Sequence, residues 1–371
     1  MSTDKASILY VTGEYPPHRG GIADYTAMLR AEVDALGYQT HVLTLDGAEG
    51  PGVFTIGSWS WPVALQIREI INQHPVDIVH IQYQAGAFDM HPAINALPTT
   101  LSAWLRLPVI TTFHDLRVPY LFPKAGRLRK AVMLRMARAS TCVVVTNPGD
   151  ERVLNEAEIE TRRIPLGPSL PPPGPEARPN GRVRSVGYFG FPSREKGLLD
   201  LIAALGRFDE SERPQLTLVG APKPDSGTHT YLTVADLEEF GHEQGIEIEL
   251  TGYLPPQEAA DRLASCSALA LPFPNGATQR SSALIAALNL GRPVVTTSRD
   301  IQAELLGLEG LPQLITVPPG DIEALRDGLD RALSAEIAPV QLPSQYHWPA
   351  IGARHAELYE ELLAANRGAR R

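Results

Sequence analysis

Short apolar runs alternate with longer amphipathic segments along the whole chain. A short apolar run bounded by turn residues is typical of a buried strand, and an apolar period of about 3.6 residues is typical of a helix. Their alternation predicts parallel sheets with helical crossovers, because parallel neighbours need a long connection. In the first half the pattern predicts a helix from Ile22 to Leu36 and strands at Ile8 to Thr12, Thr40 to Leu45, Ile78 to Ile81, Val109 to Phe113 and Cys142 to Thr146.

The alternation stops at a proline-rich stretch, Pro165 to Asn180, and restarts after it. Proline is excluded from helix interiors and central strands, so this stretch predicts an extended connector. In the second half the predicted strands are Ser185 to Phe189, Gln215 to Val219, Glu247 to Leu250, Ala268 to Leu271 and Pro293 to Thr297. The predicted helices are Lys196 to Phe208, Thr233 to Gln244, Pro256 to Ala264, Ser282 to Leu290, Ile322 to Leu333 and Ile351 to Ala364.

A chain of 371 residues exceeds one ordinary domain, so two domains are predicted. The predicted fold is α/β, with two Rossmann-like, doubly wound parallel-sheet domains facing a central cleft. We expect residues 1–167 to form the first domain, with the helix of residues 350–366 packing back on it, residues 168–181 to form the linker, and residues 182–349 the second domain. The linker and the last helix are the expected hinge for closure.

Composition narrows the classes of protein. Hydrophobic residues make up 43% and charged residues 20% of the chain, as in folded globular proteins. The net charge of -9 argues against nucleic-acid binding, which depends on clustered cations. Cys142 and Cys266 lie in apolar runs, which predicts buried free thiols and neither a disulfide nor a zinc site. Because no signal-peptide or membrane-spanning run is evident, the expected location is the cytoplasm.

Candidate chemistry lies just after the predicted strands, because ligands of open parallel sheets bind beyond the carboxyl ends of the strands. After the first strand, Gly20 and Gly21 precede a helix, where bare N–H groups could approach a ligand oxygen. A tight turn that needs positive φ explains the pair equally well. His114 and Asp115 follow the strand Val109 to Phe113, and His114 could donate a hydrogen bond to developing charge.

Two loops of the second half suit a diphosphate. Arg194 and Lys196 follow Gly190 in a strand-to-helix loop and could neutralise phosphate charge. In Pro272 to Ser282, a serine could cap the following helix, whose N-terminus attracts anions, while Arg280 adds a full charge. The donor-binding candidates of this loop are Thr278, Arg280, Ser281 and Ser282.

The order of these loops resembles glycosyltransferase family 4, a large retaining group with the GT-B fold. The resemblance rests on YPPHRGGIADYT, PVDIVHIQYQ, PVITTFHD, REKGLLDLIAAL, LTLVGAPKP, IELTGYLPPQEAADRLASCSALALPF, ALNLGRPVV and VPPGDIEALRDGL, spread over nearly the whole chain. It implies a nucleotide diphosphate sugar donor bound mainly by the second domain, acceptor recognition mainly by the first, and neither a cofactor nor a required metal. By this resemblance Gly21 approaches the donor and His114 lies near the transferred sugar.

The sequence departs from the family pattern at two usual glutamates, which are Thr278 and Ala286 here. The arginine that usually follows the first glycine of the second domain is replaced by Phe191, whereas Lys196 is retained. We expect Arg280 and Arg194 to supply the missing positive charge. The chain is thus identified as an atypical member of the family.

The expected function is transfer of a sugar to an acceptor hydroxyl with retention of anomeric configuration. The catalytic candidates are His114, Lys196 and Arg280, and the acceptor-binding candidates are Tyr15, His18 and Asp115. The acceptor is a glycan, a lipid-linked molecule or a small molecule. Two alternatives stay open: a non-catalytic GT-B protein that binds nucleotide or nucleotide sugar, and a nucleotide-sugar epimerase.

The segment Lys124 to Arg138 carries a basic side opposite an apolar side that includes Leu128, Val132 and Met136. The basic side consists of Arg127, Lys130, Arg135 and Arg138. Such a helix could rest on anionic lipid at the inner face of the membrane. An ordinary surface helix with a solvated charged face explains the same pattern.

Overall fold

The computed structural model describes residues 5–18, 20–116, 126–179, 184–222, 231–334 and 340–369. The chain divides into two compact units. Unit 1 comprises Met1–Gly167 and Ser344–Arg371, and unit 2 comprises Pro168–Pro343.

Unit 1 contains a seven-stranded parallel sheet with the strand order β3-β2-β1-β4-β5-β6-β7. The strands are β1 (Ser7–Thr12), β2 (Gln39–Leu45), β3 (Val53–Ile56), β4 (Ile78–Tyr83), β5 (Val109–Phe113), β6 (Cys142–Val145) and β7 (Arg162–Arg163). The helices are α1 (Gly21–Ala35), α2 (Val63–Gln73), α3 (Ala93–Leu105), α4 (Gly126–Ala139), α5 (Pro148–Asn155) and the C-terminal α12 (Trp348–Ala369), with 3₁₀ turns at Ala85–Phe88 and Ser344–Tyr346. The central strands are buried along their whole length and mostly apolar, because helices cover both faces of the sheet.

One apolar cluster of unit 1 packs α1 and α12 against the sheet. The two helices approach closely at Gly352, where an added Cβ would lie 2.6 Å from the Cβ of Glu32. The other cluster packs α2, α3 and α4 on the opposite face. Helix α12 is therefore part of the core of unit 1 rather than a loose terminal segment.

Unit 2 contains a six-stranded parallel sheet with the order β10-β9-β8-β11-β12-β13. The strands are β8 (Ser185–Phe189), β9 (Gln215–Val219), β10 (Ile248–Gly252), β11 (Ala268–Leu271), β12 (Val294–Thr297) and β13 (Leu314–Val317). The helices are α6 (Leu198–Gly206), α7 (Val234–Gln244), α8 (Pro256–Ala264), α9 (Ser282–Asn289), α10 (Ile301–Glu304) and α11 (Ile322–Ser334), and a 3₁₀ turn spans Arg194–Lys196.

The two sheets confirm the predicted pair of Rossmann-like, doubly wound parallel folds. Two predicted helices have wrong boundaries: the last helix, predicted at Ile351 to Ala364, spans Trp348–Ala369, and the helix predicted from Lys196 begins at Leu198. Lys196 ends a 3₁₀ turn, and Gly197, with φ +71°, separates that turn from the helix. Among the described helices, none is long and apolar enough to cross a membrane.

Candidate functional site

The strand order reverses once in each sheet, between β1 and β4 in unit 1 and between β8 and β11 in unit 2. In open α/β sheets the loops that leave such a switch point diverge and open a crevice at the carboxyl ends of the strands. The predicted site loops after β1, β8 and β11 all begin at these points. Each unit therefore places its candidate residues where its sheet can hold a ligand.

The loop after β1 is fixed by bonds within unit 1. The Thr12 hydroxyl donates to the Glu14 carbonyl at 2.9 Å, and Arg30 donates to the Tyr15 hydroxyl at 3.3 Å. His18 donates from Nε2 to the Asp46 carbonyl at 2.8 Å. Two of the acceptor-binding candidates, Tyr15 and His18, thus already have protein partners.

Gly20 serves a steric purpose at the start of α1. Its φ of 179° is extended and open to any residue, so this glycine is not there for a positive-φ turn. An added Cβ would lie only 2.0 Å from Oε2 of Glu14, so Gly20 makes room for that carboxylate. Asp24 lies in the first turn of α1, and partial desolvation together with Glu14 raises its pKa to about 6. Two acidic groups therefore already flank the N-terminus of α1, where Gly20 and Gly21 lie.

His114 lies directly after β5 and is only 9% exposed. Its backbone N–H donates to the Tyr83 carbonyl at 3.0 Å, and its Nε2 donates to Oε1 of Gln82 at 2.9 Å. The edge of its ring meets Tyr25, with centroids 4.7 Å apart. Burial, and then the nearby His355, lower the pKa of His114 to about 3, so the ring is neutral at physiological pH.

Asp115 is also 9% exposed, and Gln84 donates to it at 3.5 Å. Gln82 and Gln84 alternate along the end of β4 and pair with His114 and Asp115 at the end of β5. The segment HIQYQ shows that polar residues alternate here, but the sequence does not indicate which residues of β5 they contact.

A buried polar layer lies between the sheet of unit 1 and α12. His80 bonds through Nδ1 to the Tyr359 hydroxyl at 2.9 Å and through Nε2 to the Thr112 hydroxyl at 2.7 Å. His355 donates from Nδ1 to the Ile351 carbonyl at 2.9 Å. Burial lowers the pKa of His355 to about 4, and burial lowers the pKa of His80 well below its usual value. The sequence did not single out these histidines as functional, because each lies within a predicted strand or helix.

In unit 2 the loop after β8 brings Lys196 over Gly190. Gly190 has φ +125°, and a Cβ added to it would lie 3.3 Å from Nζ of Lys196. The Gly190 N–H donates to the Val219 carbonyl at 3.0 Å. The ammonium group thus lies beside the Gly190 backbone at the end of a central strand and adds positive charge to the ligand edge of the sheet.

Arg194 lies apart from this pair, because its guanidinium stacks over the Phe240 ring of α7 at 5.6 Å from the centroid. The sequence grouped Arg194 with Lys196 as diphosphate ligands. In the structure, Lys196 lies beside Gly190, whereas the exposed Arg194 packs on α7.

The loop after β11 leads to the N-terminus of α9. The Ser281 hydroxyl accepts a bond from the Leu284 N–H at 3.2 Å, so Ser281 is the capping residue and Ser282 the first residue of the helix. Arg280 is exposed beside it, and its N–H donates to the Thr278 hydroxyl at 3.4 Å. Ala286, where the resemblance expects a glutamate, is 0% exposed. Across the described residues no cluster of His, Cys, Asp and Glu has the arrangement of a metal site.

Two family models match the chain, and between them they span most of it. Residues 19–170 match Glycosyltransferase Family 4, and residues 183–335 match Glycosyl transferases group 1. A comparison with curated proteins finds no match.

Solved structures of glycosyltransferases resemble the chain over nearly its full length. Sucrose-phosphate synthase from Thermosynechococcus elongatus is 19% identical with a TM-score of 0.76, over 97% of this chain and 100% of that one. HepE of Anabaena, solved with UDP and glucose, is 18% identical with a TM-score of 0.68, over 98% and 100%. An α,α-trehalose-phosphate synthase (UDP-forming) from Burkholderia xenovorans, in complex with glucose-6-phosphate, is 11% identical with a TM-score of 0.66, over 96% and 100%. At these identities the similarity is one of fold.

Proposed function

Since this chain belongs to the GT-B glycosyltransferases of these families, we propose that it transfers a sugar from a nucleotide diphosphate sugar to an acceptor hydroxyl. The observation that carries the proposal is the position of Lys196 over Gly190 at the switch point of unit 2. A primary ammonium against a bare glycine backbone suits a phosphate oxygen better than any neutral ligand group.

The diphosphate is assigned to unit 2 on electrostatic grounds. In unit 1 the N-terminus of α1 is flanked by Glu14 and Asp24, which would repel an anion. In unit 2 the N-terminus of α9 is capped by an uncharged serine and lies next to Arg280 in the chain. HepE, with UDP and glucose bound, supports a donor of this class.

In the proposed reaction, the bond between the anomeric carbon and the β-phosphate oxygen breaks, and its electron pair stays on the phosphate. Lys196, Arg280 and the N–H groups at the start of α9 stabilise that charge, so no metal is needed. The acceptor hydroxyl attacks from the face that the phosphate leaves, and its proton passes to the departing phosphate oxygen. The product therefore keeps the anomeric configuration of the donor.

The acceptor is assigned to unit 1, where Tyr15, His18, His114 and Asp115 lie after β1 and β5. These side chains offer hydroxyl, imidazole and carboxylate groups, which suit a sugar or another polyol. The trehalose-phosphate synthase with glucose-6-phosphate bound is a precedent for a small sugar phosphate as ligand of this fold.

A thermal-shift screen of nucleotide sugars tests the donor class first. A ligand at 100 times its dissociation constant adds about 2.7 kcal/mol of stability. We expect stabilisation by one nucleoside diphosphate sugar and by its diphosphate, with less from the monophosphate. Equal stabilisation by the diphosphate and the monophosphate would mean that the second phosphate adds no affinity, which would contradict the proposed diphosphate site. NMR of a fresh reaction mixture then tests the anomeric configuration, and an inverted product would refute the mechanism.

A second candidate is a GT-B protein that binds nucleotide without turnover. It is favoured by the loss of both expected glutamates, at Thr278 and at the fully buried Ala286. Tight binding of a nucleotide sugar, without product for any acceptor and without slow hydrolysis of the donor, would favour this candidate over the enzyme.

Helix α4 offers only its basic side to anionic lipid, because its apolar side packs into the core of unit 1 as in an ordinary surface helix. Within the part of α4 whose side chains are described, Lys130, Arg135 and Arg138 are exposed, whereas Met133 and Met136 are buried. Lys124 lies outside the described residues, as do the side chains of Arg127 and Leu128. Charge reversal at Lys130 and Arg135 should abolish binding to anionic vesicles, and retained binding would dismiss this helix.

A further inference from the structure

The ends of β4 and β5 carry two successive polar rungs on one face of the sheet. The strands are parallel with Gln82 beside Thr112, so His80 and Gln82 face Thr112 and His114. The lower rung is the bond of His80 to Thr112 at 2.7 Å, and the upper rung is the bond of His114 to Gln82 at 2.9 Å. In each rung an imidazole Nε2 meets a side-chain oxygen of the neighbouring strand.

The two imidazoles differ in whether a ring nitrogen is left to bond a ligand. His80 has protein partners on both ring nitrogens, as a structural histidine should. His114 uses Nε2 on Gln82, and within the described part of the chain no bond is found for its Nδ1. His114 also lies after the strand, at the ligand edge of the sheet, whereas His80 lies within it.

Gln82 is a fully buried polar residue whose side-chain oxygen bonds a residue at the ligand edge of the sheet. It is 0% exposed, and its amide nitrogen has no hydrogen-bond partner among the described residues. Within the same part of the chain, other side chains, such as Gln66 and Gln313, also carry a buried, unbonded polar atom, so what sets Gln82 apart is the bond of its oxygen to His114. An apolar side chain of the same size would fill the position without the cost of an unbonded polar atom.

We propose that Gln82 is the positioning residue of His114: by accepting the Nε2–H it fixes the ring and leaves Nδ1 unprotonated, ready to accept a hydrogen bond from a hydroxyl of the bound sugar or acceptor. This inference rests on the proposed function. It changes the role expected from the sequence, because the only N–H of a neutral His114 is used on Gln82 and the ring therefore accepts rather than donates.

The tautomer is measured directly by NMR of the full chain labelled with nitrogen-15 in histidine. His114 is assigned by the signals that disappear in His114→Gln. We expect the Nε2–H form in the unmodified protein and a change of form or a mixture in Gln82→Met. An Nδ1–H form in the unmodified protein would overturn the proposal, because it would mean that the Gln82 amide has the opposite orientation. An unchanged tautomer in Gln82→Met would also overturn it.

Kinetics supply the second readout. Gln82→Met should lower kcat roughly 10- to 100-fold, the size of loss seen when the partner that orients a metal-bound histidine is removed, with the donor KM within about threefold. Gln82→Glu still accepts the Nε2–H and should restore most of kcat at high pH. Its carboxylate raises the pKa of His114, so activity should fall as pH falls and Nδ1 takes up a proton.

Thr112→Val is the matched control, because it removes a buried bond in the same layer without touching His114. Similar effects of Thr112→Val and Gln82→Met on kcat would reduce Gln82 to a packing role and overturn the proposal. If no sugar transfer is found for the unmodified protein, the proposed function fails, and the NMR tautomer still decides the role of Gln82 independently.

Discussion

The buried histidine layer of unit 1 should make this unit acid-sensitive well above the range in which carboxylates titrate. His355 is 0% exposed, and burial lowers its pKa to about 4, against about 6.5 in an unfolded chain. A group whose folded pKa is depressed in this way binds protons first in the unfolded state. The stability it contributes is therefore present above about pH 6.5 and is lost as pH falls toward 4.

The magnitude follows from the linkage relation. Between about pH 7.5 and pH 5 the unfolded His355 gains nearly one proton and the folded one almost none, so unit 1 loses about 2 kcal/mol from this residue. His114, with a folded pKa of about 3, should contribute a similar loss. Asp24 works in the opposite direction, since its raised pKa favours proton uptake by the folded state.

The assay uses the positions of the tryptophans. All four, Trp59, Trp61, Trp104 and Trp348, lie in unit 1, so tryptophan fluorescence during urea unfolding reports on that unit alone. We compare the drop in unfolding free energy from pH 7.5 to pH 5 in the unmodified protein and in His355→Asn, whose amide can still donate to the Ile351 carbonyl. Titrating groups that do not interact with His355 cancel in this difference; His114 and His80 keep pKa values lowered mainly by burial.

The drop should be about 2 kcal/mol smaller in His355→Asn. The control is His242→Gln, at an exposed position of α7 in unit 2, which should leave the drop unchanged. An equal pH dependence in the unmodified protein and in His355→Asn would refute the reasoning, because it would mean that the ring is already charged or solvated in the folded state.

The remaining predictions concern the donor site. Lys196→Ala should weaken binding of the nucleoside diphosphate about 10- to 150-fold in calorimetry, because it removes one charge-assisted bond of about 1.5–3 kcal/mol. Arg207→Ala, which removes another exposed cation of unit 2, should leave this affinity unchanged. Arg280→Ala should raise the donor dissociation constant at least about tenfold, and unchanged affinity would remove Arg280 from the diphosphate site. Gly190→Ala should lower both Tm and diphosphate affinity, because φ is +125° and the new Cβ would press on the Lys196 ammonium; a gain in either would contradict the assigned contact.

The central strands were predictable from sequence, whereas three of the four edge strands, β3, β7 and β13, were not. Strands β1, β4 and β5 are buried along their whole length, and each is dominated by apolar and β-branched residues, although His80 and Gln82 interrupt the run in β4. By contrast, β3 and β13 have only four residues each, mostly half-buried, and β7 has two. Such edges lack an apolar pattern, and only tertiary pairing defines them.

The candidate site shows a similar division. The position of His114 follows from the rule that ligands lie at strand ends, and the proximity of Lys196 to Gly190 follows from a short loop. The bond from His114 to Gln82 was not predictable, because it joins residues 32 positions apart and depends on register. The stacking of Arg194 on Phe240 depends likewise on where α7 packs.

The most direct test of the central claim is a transfer assay with a panel of nucleotide sugars, each carrying a carbon-13-labelled sugar, against a panel of mono- and oligosaccharide acceptors. The account predicts one labelled glycoside with the anomeric configuration of its donor, released nucleoside diphosphate in equal amount, and loss of both in Lys196→Ala. A labelled glycoside formed at an undiminished rate by Lys196→Ala, or a product of inverted configuration, would contradict it.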